Sequence, residues 1–231
     1  MILYLSKKNI QKSNLKNKLK KNIIIIRNFV DIKNILTIKK IINSEKKNLD
    51  IKFFYPKIGS NNLYIYNKLN PRSKVLGFYK KIEFYPWLNK NAHIFSLLKK
   101  EIKFLLSLLS IFDKKSNSNT FSYKKLFNKK KFIKLQVMIY PAHKGFLSKH
   151  RDTLINDKII FSIVLQKLTN NRNVKKQGLK VFIKKKYFFL DRLVNPGDLV
   201  LFLGKFFHEV KKSNNQRASF IIAQDNFKKF V

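Results

Sequence analysis

Three short pieces of the sequence carry side chains that could act together. They are His150-Arg151-Asp152, His208 and Arg217-Ala218-Ser219. Two imidazoles and one carboxylate can bind a divalent metal ion on one triangular face and leave the opposite positions open, a ligand set typical of non-haem Fe(II) sites that activate O2. We therefore expect His150, Asp152 and His208 to be metal ligands.

The sequence around these ligands is typical of β-strands. Residues 132–150 contain two runs rich in β-branched and aromatic types, separated by a break with Pro and Gly. Because successive side chains on a strand point to opposite faces, positions 150 and 152 are expected to share a face. The third ligand would come from a second apolar strand region at 200–210, which follows the turn signal at 195–198.

Arg217 and Ser219 lie two residues apart in the strand-like run 217–222, so their side chains are also expected to share a face. A guanidinium binds a carboxylate through two parallel hydrogen bonds, and a serine hydroxyl can add a third. The chain has 51 Lys and Arg, of which six are Arg, leaving 45 Lys. An arginine in so lysine-rich a chain indicates a place where a point charge is not enough, and Arg217 is expected to bind an acidic co-substrate.

The order and spacing of these residues resemble the core of the Fe(II)/2-oxoglutarate-dependent oxygenases, especially their prolyl-hydroxylase-like branch. The matching segments are, in chain order, Tyr140-Pro141, Gly145-Phe146-Leu147, His150 to Thr153, Gly178 to Val181, Asn195 to Phe202, His208 and Arg217-x-Ser219. A fainter similarity upstream covers residues 23–30 and Asp31, which would begin a helix. The resemblance therefore spans about 23–227, with its specific motifs in 140–219.

The resemblance implies an α+β, mainly β fold, in which N-terminal helices support a double-stranded β-helix core of the jelly-roll or cupin-like type. The three ligands named above would bind Fe(II), and 2-oxoglutarate would chelate this iron. Its far carboxylate would bind Arg217 and Ser219, with Tyr140 beside it. Ascorbate is an optional further cofactor in this interpretation.

The same resemblance implies an oxidative reaction that consumes O2 and 2-oxoglutarate and releases succinate and CO2. Halogenating relatives replace the carboxylate ligand with a small residue, so Asp152 favours hydroxylation, with desaturation and demethylation still open. The sequence departs from the family pattern at Gln177-Gly178, where paired glycines are usual, and in the long basic loop 169–177. The substrate stays open between a small molecule and a prolyl or other peptidyl group.

Length and composition predict one domain. With 231 residues, 27.5 kDa and 45% hydrophobic residues, the chain can bury one substantial core. We expect a mobile basic tail at 1–22 and a single oxygenase domain at 23–231, with helical support at about 31–112 and the β-helix core at about 131–227. Helices are predicted at 32–43, after a possible Asp31 cap, and as one long helix at 94–112.

The formal charge of +39 raises the alternative of nucleic-acid binding. The lysines are spread along the whole chain and accompany many Asn, Ile, Phe and Tyr, all favoured by AT-rich codons, so we expect nucleic-acid contacts to be non-specific. There is no cysteine, which excludes disulfides and thiolate metal sites. No apolar run reaches the ~18 residues that cross a bilayer, so no membrane partner and a cytoplasmic location are expected.

Three other functions remain open from the sequence. A catalytically inactive basic module that binds RNA or ribosomes would explain the charge, and an iron-free cupin-like binding domain would explain the strands. Neither explains the ligand triad together with the arginine and serine pair. A nucleic-acid demethylase of the same fold would explain both the positive charge and this set of side chains. His93 and His143 lack ligand spacing and are interpreted as ordinary histidines.

Overall fold

The computed structural model describes residues 1–6, 12–45, 64–65, 74–75, 77–84, 92–113, 133–152, 159–166 and 177–224. In chain order, its elements are β1 (Ile2–Ser6), α1 (Lys12–Lys21), β2 (Ile23–Arg27), α2 (Ile32–Glu45), β3 (Tyr64–Ile65), β4 (Lys74–Val75), β5 (Gly77–Phe78), β6 (Lys80–Phe84), α3 (Ala92–Leu97), α4 (Lys99–Asp113), β7 (Ile133–Tyr140), β8 (Phe146–His150), β9 (Ile159–Gln166), β10 (Gly178–Ile183), β11 (Lys186–Phe189), a short 3-10 helix (Asp191–Leu193), β12 (Leu199–Leu203), β13 (His208–Lys211) and β14 (Arg217–Gln224).

Two sheets form the core of the described chain. The larger has seven strands in the order β1-β2-β12-β9-β14-β7-β6, and the smaller has five in the order β11-β10-β13-β8-β5. An apolar cluster joins them, with Met138 and Phe202 from the larger sheet and Val181 from the smaller. The molecule is therefore mainly β, with two facing sheets that are compatible with a jelly-roll core.

The helices cover the other face of the seven-stranded sheet. Strand β2 shows the division most clearly, because all four of its isoleucines are buried. Ile24 and Ile26 belong to the apolar cluster on the helix side, whereas Ile23 and Ile25 belong to the cluster between the sheets. A strand buried on both faces needs such a continuous apolar run. No helix within the described segments is long and apolar enough to cross a membrane.

The predicted helix at 32–43 is present as α2, and the Asp31 cap is confirmed. The Asp31 carboxylate accepts a hydrogen bond of 2.7 Å from the backbone N–H of Lys33. This bond satisfies one of the N–H groups that the first turn of a helix leaves without an intrahelical partner. On the buried side of the helix, Ile35 and Ile38 pack into the core.

The single helix predicted over 94–112 is instead two helices, α3 and α4, separated at Leu98. The break is local, since Leu98 N–H donates to the Ile94 carbonyl at 3.2 Å and Ile102 N–H to the Leu98 carbonyl at 2.8 Å. No proline or glycine lies here, so the sequence offered no signal for the break. Ile94, Leu98 and Leu105 are buried, which confirms the predicted core role.

The prediction of a mobile tail at 1–22 is wrong for the part that the structure describes. Strand β1 pairs in parallel with β2 along its whole length, and α1 follows it. Leu15 and Leu19 of α1 are almost fully buried in the cluster on the helix side. The tail was predicted from the many lysines of this segment, and the spacing of its two leucines was overlooked. They lie four residues apart and so share one face of the helix.

The predicted strands at 132–140, 146–150, 200–203 and 217–222 are present as β7, β8, β12 and β14. The turn predicted at 195–198 is present as well, and its Asp198 is fully buried. The Asp198 carboxylate accepts hydrogen bonds from Arg27 Nη1 at 2.5 Å and from the backbone N–H groups of Asn28 and Asn195, each at 2.9 Å. One carboxylate thus ties the end of β2 to the start of β12. Of the basic loop predicted at 169–177, all but Gln177 lies outside the described residues.

Candidate active site

The two histidines lie opposite each other on neighbouring strands. His150 is the last residue of β8 and His208 is the first of β13, and the two form a directly facing pair in the antiparallel ladder. His208 thus begins a strand, whereas the sequence had placed it at the end of an apolar strand region. Between this pair and the next, Leu147 with Val210, two residues of β8 oppose one of β13. Such a bulge changes the direction in which nearby side chains point and is common beside functional sites.

Asp152 reaches the histidines from a bend beyond the end of β8. Its backbone N–H donates to the Gly204 carbonyl at 3.1 Å, which holds the bend against the turn before β13. Its Oδ1 atom lies 3.2 Å from His150 Nε2 and 3.5 Å from His208 Nε2. The strand does not continue to residue 152, yet the carboxylate lies beside both imidazoles, as the spacing predicted.

Backbone carbonyls orient both imidazole rings. Nδ1 of His150 lies 2.8 Å from the Ser148 carbonyl oxygen, and Nδ1 of His208 lies 3.0 Å from that of Phe206. A carbonyl can only accept, so each Nδ1 donates to its carbonyl, and Nε2 is the ring nitrogen that faces Asp152 and is left for a metal ion. Metal-binding histidines are usually held in one tautomer by a hydrogen bond of this kind.

The donor set fits one metal ion. The three ligand atoms of His150, Asp152 and His208 lie within 4.8 Å of one another, and within the described part of the chain they are the one group of three such donors. Three donors on one face of an octahedral ion, each about 2.1 Å from it, would be about 3.0 Å apart. Both histidines are buried and the Asp152 side chain is 22% exposed, so the site is open on one side.

A second polar group lies on β7 and β14. Arg217 faces Tyr140 across the two strands, and its guanidinium carbon is 5.5 Å from the centre of the tyrosine ring. Its Nη1 donates to Ser219 Oγ at 3.1 Å. The structure therefore brings together Arg217, Ser219 and Tyr140, the three residues predicted to bind the co-substrate.

Asp191 completes this second group and was missed from the sequence. Its Oδ2 atom accepts a hydrogen bond of 2.6 Å from Arg217 Nε and another of 2.8 Å from the backbone N–H of Leu179. Arg217 and Asp191 are both almost fully buried. Because Leu179 is in the five-stranded sheet and Arg217 in the seven-stranded one, Asp191 connects the two sheets through polar bonds.

Gly178 makes room for this carboxylate. Its φ is +76°, and a Cβ atom at this position would lie 2.0 Å from Asp191 Oδ2. The departure from paired glycines at Gln177-Gly178 thus keeps the one glycine that the close approach requires. Two features of the sequence could have drawn attention to Asp191. Acidic residues are rare in this chain, 12 against 51 basic ones, and this one directly follows an aromatic and apolar run.

Two of the five N–H donors of the Arg217 guanidinium have acceptors in this group, one on Nε and one on Nη1. The bonds hold the plane of the guanidinium and leave its Nη edge as the side that can take a carboxylate. His93 and His143 do not join either group, in agreement with their interpretation as ordinary histidines. His143 lies in the turn after β7, where its N–H donates to the Ser213 carbonyl at 2.6 Å.

No family model matches the sequence, and no curated protein has a significant sequence match to it. Solved structures do match. The crystal structure of a Pseudomonas putida prolyl-4-hydroxylase matches with a TM-score of 0.60 and 10% identity, over 94% of this chain and 99% of that one. A Trichoplax adhaerens prolyl hydroxylase, solved in complex with a peptide fragment of the hypoxia-inducible factor oxygen degradation domain, matches with a TM-score of 0.59 and 14% identity, over 94% and 92% of the two chains.

These matches extend over nearly the whole of both chains, although few residues are identical. A shared arrangement of strands and helices at such low identity is evidence about the fold, and the chemistry has to be argued from the side chains. The chain has the fold of these two prolyl hydroxylases.

Proposed function

We propose that the protein is an Fe(II)- and 2-oxoglutarate-dependent dioxygenase that hydroxylates an unactivated C–H bond and releases succinate and CO2. The observation that carries the proposal is the convergence of His150 Nε2, His208 Nε2 and Asp152 Oδ1 at the adjoining ends of β8 and β13. In this proposal the two sheets form a double-stranded β-helix, and these three side chains hold Fe(II) at its open end.

The residues of the triad have distinct tasks. Carbonyls of Ser148 and Phe206 orient the imidazoles so that both Nε2 atoms point to one place, where Asp152 would add one negative charge. When bound, iron and its keto-acid co-substrate would supply the activation of O2 that an unactivated C–H bond requires. The carboxylate of Asp152 fills a coordination position that a halide would otherwise need, so hydroxylation is favoured over halogenation.

Arg217 is proposed to bind the distant carboxylate of 2-oxoglutarate. Its Nη edge offers two parallel N–H groups, Ser219 can contribute its hydroxyl, and Tyr140 lies beside them. The guanidinium is held in place by Asp191, and Arg217 is 4% exposed, so water competes little for these donors. A lysine would keep the charge at this position but not the planar fork.

The substrate is proposed to be a small molecule or a prolyl or other peptidyl group. A peptide is favoured by the comparison with the Trichoplax adhaerens enzyme, whose solved structure contains a peptide fragment. The net positive charge of this chain would favour an acidic peptide. Desaturation or demethylation would use the same protein side chains, and would differ only in which group of the substrate lies next to the metal site.

We expect the anaerobic protein with Fe(II) to develop a visible charge-transfer absorption band when 2-oxoglutarate is added, and to release succinate once air is admitted. His150→Ala, Asp152→Ala and His208→Ala should each lose Fe(II) binding measured by calorimetry, because two remaining donors hold the ion weakly. Arg217→Lys should keep Fe(II) binding but lower the apparent affinity for 2-oxoglutarate by about tenfold or more, as expected when a bidentate contact is lost.

His143→Ala is the matched control, since it removes an exposed imidazole outside the triad. Unchanged Fe(II) stoichiometry in all three alanine variants would overturn the ligand assignment. If the wild-type protein gives neither the absorption band nor succinate, the oxygenase proposal is wrong and a basic RNA- or ribosome-binding module becomes the better interpretation.

A further inference from the structure

A row of aromatic rings and cations runs across the outer face of the five-stranded sheet. Lys149 Nζ lies 4.4 Å from the centre of the Phe182 ring and 4.9 Å from that of Phe207. Lys180 Nζ lies 4.8 Å from the Phe182 ring and 4.3 Å from the Tyr187 ring. Rings and positive charges therefore alternate from Phe207 to Tyr187, and we call this row the outer aromatic surface.

The outer aromatic surface lies on the opposite side of the strands from the candidate metal ligands. His150 and His208 are buried, whereas their neighbours Arg151 and Phe207 are exposed, and the Arg151 guanidinium carbon is 3.8 Å from the centre of the Phe207 ring. A groove of about 330 Å³ runs along this surface. This volume is at the lower end of the range for ligand pockets, about 300–1,000 Å³.

The described lining of the groove is positively charged. It includes five basic residues, Lys149, Arg151, Lys184, Lys185 and Lys205, and no acidic residue among those that the structure describes. Among the described residues, no carboxylate lies within salt-bridge distance of any of the five, while the nearby Lys180 and Lys211 both pair with Glu209. Five cations near one groove repel one another, so a bound polyanion would relieve a repulsion that the folded protein otherwise carries.

The turn between β10 and β11 adds a second, independent observation. Its two residues, Lys184 and Lys185, both have positive φ, 47° and 65°. A two-residue turn of this type favours Asn-Gly, because side chains with a Cβ are disfavoured in the left-handed region. Two lysines therefore occupy a strained turn at the edge of the groove. Backbone strain of this kind is often found at functional sites, where the strained residues contact a ligand.

We propose that the outer aromatic surface binds single-stranded nucleic acid. Phosphates would contact Lys149, Arg151 and the two lysines of the turn, and bases would stack on the exposed rings of Tyr187 and Phe207, which are 57% and 37% exposed. Single-strand-binding proteins combine a cationic groove with aromatic rings in this way. The Asp and Glu side chains of an acidic peptide would use the charges alone and would leave the exposed rings without a stacking partner.

This surface is separate from the candidate metal ligands, and its test needs neither iron nor 2-oxoglutarate. We expect a labelled single strand of about 12 nucleotides to bind the wild-type protein in fluorescence anisotropy. The variant Lys149→Gln/Arg151→Gln/Lys184→Gln should weaken this binding about tenfold at about 0.15 M salt. For this variant, the slope of log K against log salt concentration should be less steep by about 2, which is about 0.7 for each of the three lost phosphate contacts.

The matched control removes three positive charges elsewhere. Lys33, Lys40 and Lys99 are exposed on the helices that cover the other sheet, and their replacement by Gln should change the affinity by less than about twofold. Tyr187→Ala should weaken oligonucleotide binding about fivefold but leave the binding of polyglutamate unchanged. Lys184→Asn/Lys185→Gly should raise Tm, because it relieves the turn, and still weaken oligonucleotide binding.

Equal losses in the two triple variants would overturn the proposal, because binding would then reflect net charge alone. Polyglutamate binding as tight as oligonucleotide binding, with no effect of Tyr187→Ala on either, would also overturn it and would identify an acidic-peptide surface. Circular dichroism of each variant checks that it is folded. None of these outcomes bears on the oxygenase proposal, which depends on other side chains.

Discussion

Arg217 and Asp191 form a buried ion pair whose nitrogen and oxygen are 2.6 Å apart. Burying one such charge without the other is costly, because desolvation is no longer offset by a partner. In this protein the pair has a second consequence. Asp191 already neutralises the arginine that is proposed to bind 2-oxoglutarate, so the co-substrate carboxylate would share its cation with a carboxylate of the protein.

We predict that Asp191→Asn lowers the free energy of unfolding by about 3 kcal/mol in the absence of ligands, since Arg217 then loses its charged partner. Anaerobic Fe(II) with saturating 2-oxoglutarate should raise Tm more in this variant than in the wild type, because the co-substrate becomes the main counter-charge. Asp31→Asn is the control, as it keeps the helix cap and removes an exposed charge. A smaller Tm rise than in the wild type would show that Asp191 serves to position Arg217.

At the scale of elements, the start of β10 and the short 3-10 helix depend on each other. Gly178 adopts a φ of +76°, and the side chain of Asp191 fills the space where a Cβ would be. The next residue, Leu179, donates its N–H to the same carboxylate at 2.8 Å. This packing holds the start of β10 against β14, and it needs a residue without a side chain at 178.

Gly178→Ala should therefore lower the free energy of unfolding by at least about 2 kcal/mol, from left-handed backbone strain together with the displaced Asp191. Urea denaturation of Gly178→Ala, Asp191→Ala and the double variant measures how the two changes interact. If the clash with Asp191 dominates, the double variant should be more stable than the sum of the single effects predicts. Strict additivity would mean that backbone strain at 178 accounts for the cost.

At the scale of the whole molecule, the seven-stranded sheet is covered by helices on one face and by the five-stranded sheet on the other. The N-terminal segment belongs to this architecture. Strand β1 lengthens the large sheet beside β2, and α1 buries Leu15 and Leu19 with residues of the sheet. The seven-stranded sheet therefore includes residues that the sequence had assigned to a tail.

Leu19→Ala should lower the free energy of unfolding by about 2–5 kcal/mol, as expected for a leucine with no exposed surface. Lys20→Ala on the same helix is exposed and should change it by less than about 0.5 kcal/mol. Chemical denaturation followed by circular dichroism measures both. Equal and small effects would mean that α1 contributes nothing to the core and that the expectation of a tail was right.

Local patterns in the sequence were enough to predict the main strands, the capped helix α2 and the nearness of His150 to Asp152, while His208 was expected to join them from the ligand chemistry and the family resemblance. Each of these local predictions depends on the spacing of a few residues, because side-chain direction on a strand or helix repeats with a fixed period. The same periodicity predicted that Arg217 and Ser219 share one face of a strand, whereas Tyr140 was expected beside them only from the resemblance to the oxygenases, and the structure pairs it with Arg217. The assignment of these six residues to iron and 2-oxoglutarate stays a prediction.

Only the tertiary structure revealed the features that join distant parts of the chain. Asp191 meets Arg217 across 26 residues of sequence, and the outer aromatic surface is assembled from β8, β10, β11 and the turn before β13. Burial and desolvation select such partners once the sheets have packed, and neither leaves a periodic signal in the sequence. The sequence by itself therefore determined which side chains were available for chemistry, and packing decided which charges neutralise one another and which remain exposed.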